Sequence, residues 1–178
     1  MSRSGEADLL ARARGGDKPA FESLLEPVFA MGARLAYAML LDRTEAEDVV
    51  QDATVKAWRR LGNIRPGADF TPWFLGIVAN ECRTVRRGRW WSIARLDNFV
   101  AGESASPEEA VVRSADLRKA LLQLPVDQRA VVLLHFYLDL PLDEVAASLE
   151  ISVAGAKSRI NRAFKRLRPA LMSAEVLT

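Results

Sequence analysis

The chain is poor in the residues on which small-molecule chemistry relies. Its 178 residues include one histidine, His135, and one cysteine, Cys82. A single cysteine excludes an intrachain disulfide and fits a reducing compartment. Together the two residues make no Cys/His metal cluster and no nucleophile–histidine couple. His135 lies within VVLLHFYL, where a packed helical position is expected, and Cys82 lies on an apolar helix face as a small core residue. There is no P-loop and no GxGxxG pattern. No catalytic residue, metal ligand or cofactor is therefore expected. No run of eighteen apolar residues occurs, so no membrane insertion is expected. The first residues lack the apolar core of a signal peptide. These absences predict a cytoplasmic protein that is not an enzyme.

What is present is helical periodicity. Hydrophobic residues make up 49% and charged residues 27% of the chain, the balance of a globular protein. A short helix is expected at residues 7–13, and Asp17 can cap a longer one with Pro19 in its first turn and an apolar pattern that continues through Leu41. Thr44-Glu45-Ala46-Glu47 has capping-box spacing and predicts a helix to about Leu61. Residues 62–70 (GNIRPGADF) read as a loop, after which Thr71-Pro72 restarts a helix to about Arg87. Residues 96–112 hold four acids, no base and a Gly/Ser/Pro cluster, the composition of a linker. Further helices follow from Ser114, after Pro125, and on both sides of a turn near Glu150. The fold class expected is all-α, with two small helical domains at 1–95 and 114–172 joined by a flexible linker at 96–113.

Charge is distributed unevenly along this frame. From Asp42 to Asp52 there are five acids and one base. Acids near a helix N-terminus complement its dipole, which explains Glu45 to Asp48 but fits Asp52, two turns in, less well. A solvated helix start and a protein-docking face both remain open for Asp48, Gln51 and Asp52. On the next helix Phe74, Ile77, Val78, Cys82 and Val85 share one side, with Gly76, Asn80, Arg83 and Arg87 opposite and Trp73 and Thr84 adjacent. Five arginines and no acid follow between Arg83 and Arg95, interleaved with Trp90 and Trp91. Arginines supply phosphate contacts, and aromatic residues and asparagine can stack on or pair with unstacked bases. A solvated basic helix end is the plainer alternative.

Residues 140–169 hold two helical patterns around a turn of about four residues. In the second, Val153, Ala156, Ile160, Ala163, Phe164 and Leu167 fall together on a helical wheel. Ser158, Arg162 and Lys165 point the other way, flanked by Lys157, Arg159, Asn161 and Arg166. Six bases and no acid lie between Ile151 and Ala174. A short helix, a tight turn and a basic second helix make a helix-turn-helix suited to the major groove. The alternative is a cationic face on an ordinary helical hairpin.

Four segments together resemble the extracytoplasmic-function group of the sigma-70 family of bacterial RNA polymerase sigma factors. They are AEDVVQDATVKAWRRL (46–61), FTPWFLGIVANECRTVRR (70–87), LPVDQRAVVLLHFYLDLPLDEVAASL (124–149) and ISVAGAKSRINRAFKRLR (151–168). The resemblance implies a protein that binds core RNA polymerase and directs it to promoters. Asp48, Gln51, Asp52 and Trp58 would meet the clamp helices of the β′ subunit, and the second half the flap of β. Asn80, Arg83, Thr84 and Arg87 would face the −10 element. Asn63, Arg65, Asp69 and Phe70 would form the pocket for a flipped base, whose extrusion costs a few kcal/mol. Lys157, Ser158, Asn161 and Arg162 would read the −35 element, with Lys165 and Arg166 on phosphates. The resemblance also implies an anti-sigma factor as partner. Where such turns often carry glycine this chain has Glu150, and a left-handed backbone there would cost roughly 1–2 kcal/mol. Gly155 stands in the first turn of the recognition helix, and Pro141 replaces the usual Ser or Thr cap.

Two rival functions share these features. A stand-alone helix-turn-helix regulator would use its first half for sensing or dimerisation and would bind an operator without polymerase. A sigma mimic that titrates partners would need neither basic face.

Overall fold

A computed structural model describes the backbone of residues 3–93 and 115–175 and the side chains of residues 4–86 and 119–168. The expected linker at 96–113 lies outside the described residues, as do the side chains of Arg87, Trp90 and Trp91. Among the described residues every regular element is helical, in keeping with the all-α expectation.

Helices α1 (Arg3–Arg14) and α2 (Lys18–Leu40) meet at Gly16, whose φ of 92° only glycine adopts readily. Asp17 caps α2 as its position predicts, accepting from the Ala20 N–H at 3.2 Å. Arg12 grips the same carboxylate at 2.9 and 2.8 Å and holds its pKa below the ordinary range.

Helix α3 (Arg43–Arg60) does not start from the capping box expected at Thr44. Asp42 is the cap, its Oδ1 accepting from the Glu45 N–H at 3.0 Å. A carboxylate is a stronger acceptor for exposed helix N–H groups than a hydroxyl, so the start moves upstream. A 3₁₀ turn (Leu61–Asn63) leads into the loop. Helix α4 (Phe70–Ile93) likewise starts before the expected Thr71 and runs past the expected end at Arg87. The Phe70 N–H is taken by Glu6, a distant acceptor that local sequence cannot reveal.

In the second half, α5 (Ala115–Gln123) turns at Pro125 into α6 (Val126–Val132), which continues as a π-helical turn (Leu133–Tyr137). The helix-turn-helix is α7 (Leu142–Ser148) and α8 (Val153–Glu175). Pro141 precedes α7 and offers no side-chain cap. Glu150 has φ of 54°, the left-handed backbone that the missing glycine foreshadows, and its N–H and that of Ile151 close α7 on Ala147 and Ala146.

The two helical halves do not stand apart. Leu24, Leu35, Met39, Val50, Phe74 and Val78 form the core of the first, and this core continues through Val131, Leu134, Val145 and Ile160 of the second. On α2, Gly32 makes room for the Phe74 ring, which would lie 2.9 Å from an added Cβ. Gly76 on α4 plays the same part between the halves. A Cβ there would stand 2.3 Å from the backbone oxygen of Ser148, so only glycine admits α7 at this distance.

Arg129 ties the halves together. Its side chain is wholly buried, donating to the backbone oxygens of Leu121 (2.7 Å), Leu122 (2.7 Å), Leu124 (3.0 Å) and, from the first half, Met39 (2.5 Å). Burial lowers its pKa to about 10, so it stays charged at neutral pH.

Candidate nucleic-acid and polymerase interfaces

Helix α8 presents its basic side to solvent because its apolar side is used. Ala156, Ile160, Ala163 and Leu167 are buried, whereas Lys157, Ser158, Asn161, Arg162, Lys165 and Arg166 are all exposed. The expected stripe is narrower than the wheel suggests, since Val153 and Phe164 are each 41% exposed. Arg162 is steadied by Ser158, donating from Nη2 to its Oγ at 2.9 Å. The start of α8 is capped by Ser152, whose Oγ accepts from the Gly155 N–H at 3.0 Å. A Cβ at Gly155 would crowd that oxygen at 3.2 Å, which gives this glycine a local reason.

Helix α4 presents a different picture. Asn80 and Thr84 are exposed, but Gly76 is covered by α7. Arg83 donates from Nη1 to Asn80 Oδ1 at 2.9 Å. Its Nε also lies 2.7 Å from Asp127 Oδ1 of α6, an ion pair too bent for a good hydrogen bond. The face expected to meet the −10 element is therefore partly occupied by the chain's own second half.

The loop between α3 and α4 opens on a cleft of about 310 Å³. Asn63, Arg65 and Asp69 line it, with Pro72 and Trp73 at the start of α4. Its far wall is α7, through Asp143, Glu144 and Ser148. Phe70 does not line it. Its ring is buried beneath the loop, stacked on Phe74 at 6.0 Å and edge-on to Phe21 at 6.1 Å.

On α3, Asp48, Gln51 and Asp52 are exposed, and Val55 beyond them is 48% exposed. Trp58 is half-buried against Phe21, edge to face at 5.2 Å. It supports this face more than it projects from it.

Several functional candidates escaped the sequence reading. Nothing in the local sequence singles out Arg129 or Asp127, and Gly76 falls on the same helix face as Asn80 and Arg83. A glycine inside a helix costs about 1 kcal/mol against alanine, which is the one signal that it answers a close approach. Phe136 (51% exposed) meets Phe164 edge to face at 5.2 Å, forming an apolar patch on the second half. Among the described residues no cluster of His, Cys, Asp and Glu is arranged to hold a metal ion. His135 Nδ1 sits 2.8 Å from the Leu140 backbone oxygen. Burial pushes the Cys82 thiol up to about 12, so it is a poor nucleophile at neutral pH. No helix among the described residues is long and apolar enough to cross a membrane.

Residues 28–92 match the family described as Sigma-70 region 2, and residues 114–167 that described as Sigma-70, region 4. The chain is 31% identical over 185 residues to the RNA polymerase sigma-H factor of Pseudomonas aeruginosa, covering 96% of each protein. It is 33% identical over 165 residues to the ECF RNA polymerase sigma factor SigM of Mycobacterium tuberculosis, covering 91% of this chain and 82% of that one. Among solved structures it resembles the sigma factor RpoE of Bartonella quintana, crystallised with the anti-sigma factor NepR. The TM-score is 0.69 and the identity 27%, over 85% of this chain and 96% of that one. The chain belongs to the extracytoplasmic-function group of the sigma-70 family, alternative sigma factors that direct promoter-specific transcription. Members of this family are non-catalytic initiation factors.

Proposed function

We propose that residues 1–95 bind core polymerase and the −10 element, that 96–113 form the linker, and that 114–172 anchor the −35 element. The observation that carries this reading is α8, where all six candidate contacts lie exposed opposite a buried seam. Lys157, Ser158, Asn161 and Arg162 read base edges, and Lys165 and Arg166 hold phosphates. Asp48, Gln51 and Asp52 meet the clamp helices of β′, with Trp58 stiffening the helix beneath them. Asn63, Arg65 and Asp69 receive the flipped base, and Phe70, buried behind the loop, supports it from the core. Asn80, Arg83, Thr84 and Arg87 face the −10 strand. Because α7 covers Gly76 and Asp127 holds Arg83, this last face becomes available only when the halves part.

The exposed pair Phe136 and Phe164 suits the β flap. An anti-sigma factor is the natural inhibitor, as NepR is the partner of the structural relative RpoE. The protein acts in the cytoplasm, without cofactor or catalytic residue.

Arg162→Ala tests the assignment. With purified core polymerase, run-off transcription from a −35-dependent promoter should fall by about tenfold or more, the worth of a good base contact, with polymerase affinity unchanged. Unchanged transcription would refute the orientation of α8. Tight operator binding without polymerase would instead favour the stand-alone regulator.

A further inference from the structure

Helix α1 lies upstream of the segment matched to region 2, at residues 28–92. It nevertheless holds both ends of the loop that lines the cleft. At the entry to the loop, Arg14 donates from Nη2 to the Ile64 oxygen at 2.6 Å and from Nε to the Leu61 oxygen at 3.3 Å. At its exit, Glu6 Oε1 accepts from the Phe70 N–H at 2.5 Å, across 64 positions of sequence.

The chemistry of each bond suits a clamp. Leu61 opens a 3₁₀ turn and Ile64 follows it; the Leu61 oxygen also accepts from the Ile64 N–H at 3.4 Å, and a guanidinium fork can take both carbonyls at once. Phe70 opens α4, where a carboxylate meets a free N–H and the positive end of the helix dipole. Between the two clamps, Gly67 has φ of 77°, and a second cleft of about 150 Å³ separates Gly67, Ala68 and Asp69 from Glu6, Ala7 and Leu10 of α1. The loop is thus pinned at both ends and loosely backed in the middle. Its cleft-facing residues Asn63 and Asp69 stand next to the pinned positions Ile64 and Phe70.

We infer that α1 is a positioning element for base selection, with Glu6 and Arg14 as positioning residues that set the spacing of Asn63 and Asp69 across the cleft. This rests on the assignment of the loop as the flipped-base pocket. Charge-assisted bonds at the two ends fix the distance between the walls, and a pocket that discriminates bases depends on that distance.

The test uses the full chain with core polymerase. Initiation is measured on promoters carrying each of the four bases at the flipped position, with 2-aminopurine fluorescence there as a second readout. Glu6→Ala and Arg14→Ala should reduce the preference for the favoured base by about three- to tenfold, the scale of one ordinary intramolecular hydrogen bond. Discrimination at the −35 element should not change. Glu6→Gln, which keeps an acceptor oxygen, should restore most of the preference. Asp69→Ala is the control for the pocket. If Asp69→Ala alters base preference and neither α1 variant does, the clamp is only structural and the inference falls. If Asp69→Ala leaves base preference unchanged, the pocket assignment fails and the inference fails with it. A uniform loss of initiation on all four bases, tracking a lowered Tm, also overturns it.

Discussion

Two basic helix faces on one chain stand in opposite states. On α8 Lys157, Arg162, Lys165 and Arg166 are exposed to solvent, and Arg162 is tied to Ser158. On α4 the corresponding face is partly packed, with Gly76 under α7 and Arg83 drawn to Asp127 while Asn80 and Thr84 stay exposed. The cause lies in the partners. The apolar seam of α8 packs mainly on α5, α6 and α7, with Leu41 of the first half beside it, whereas the far side of α4 offers a glycine into which another backbone can settle. One face is open to solvent, and the other is partly closed by a contact between the halves.

The strongest way to break this comparison is at Arg129. Arg129→Met removes the donor shared by four backbone oxygens in both halves, and urea unfolding should show a loss of about 3–5 kcal/mol. A loss below about 1 kcal/mol would mean that the bridge contributes little. Gly76→Ala comes next. Alanine should favour the helix itself by about 1 kcal/mol while its Cβ collides with the Ser148 backbone. Small-angle scattering should then report a larger radius of gyration at unchanged helical content. A variant as compact as the parent would contradict the close approach.

Glu150→Gly sharpens the picture without touching either face. Releasing the strained left-handed backbone should raise stability by about 1 kcal/mol. Equal or lower stability would show the strain to be already relieved. Asp127→Asn should have the smallest effect on stability, below about 1 kcal/mol, because half-exposed ion pairs are well screened. Its benefit to single-strand binding should fade at high salt. A salt-independent gain would point to a cause other than charge.

Sequence periodicity carried much of the fold. The cap at Asp17, the loop before α4, the turn near Glu150 and four of the six expected apolar positions of α8 follow from local chemistry, while Val153 and Phe164 stay exposed. Helix starts moved where a stronger acceptor intervened, one distant in sequence and one two residues upstream. Glu6 shifts the start of α4, and Asp42 outcompetes the hydroxyl at Thr44. Charge pattern alone picked out the residues on α8, since exposure there needs only one apolar stripe. It could not reveal that α4 is covered, because nothing near Gly76 in sequence names Ser148. Phe70 shows the same limit: its place beside the loop was legible, but not that its ring points inward.

The bond from Arg129 to the Met39 oxygen joins positions 90 residues apart in one chain, so the closing partner is never diluted away. Closure is set by an effective concentration fixed by the tether, while polymerase capture depends on how much free polymerase the cell holds. If only the parted form offers its −10 face, the apparent affinity for that step scales with the parted fraction. Under that condition the internal contact would raise the polymerase concentration needed to occupy half of the chain, in proportion to how rarely the halves part.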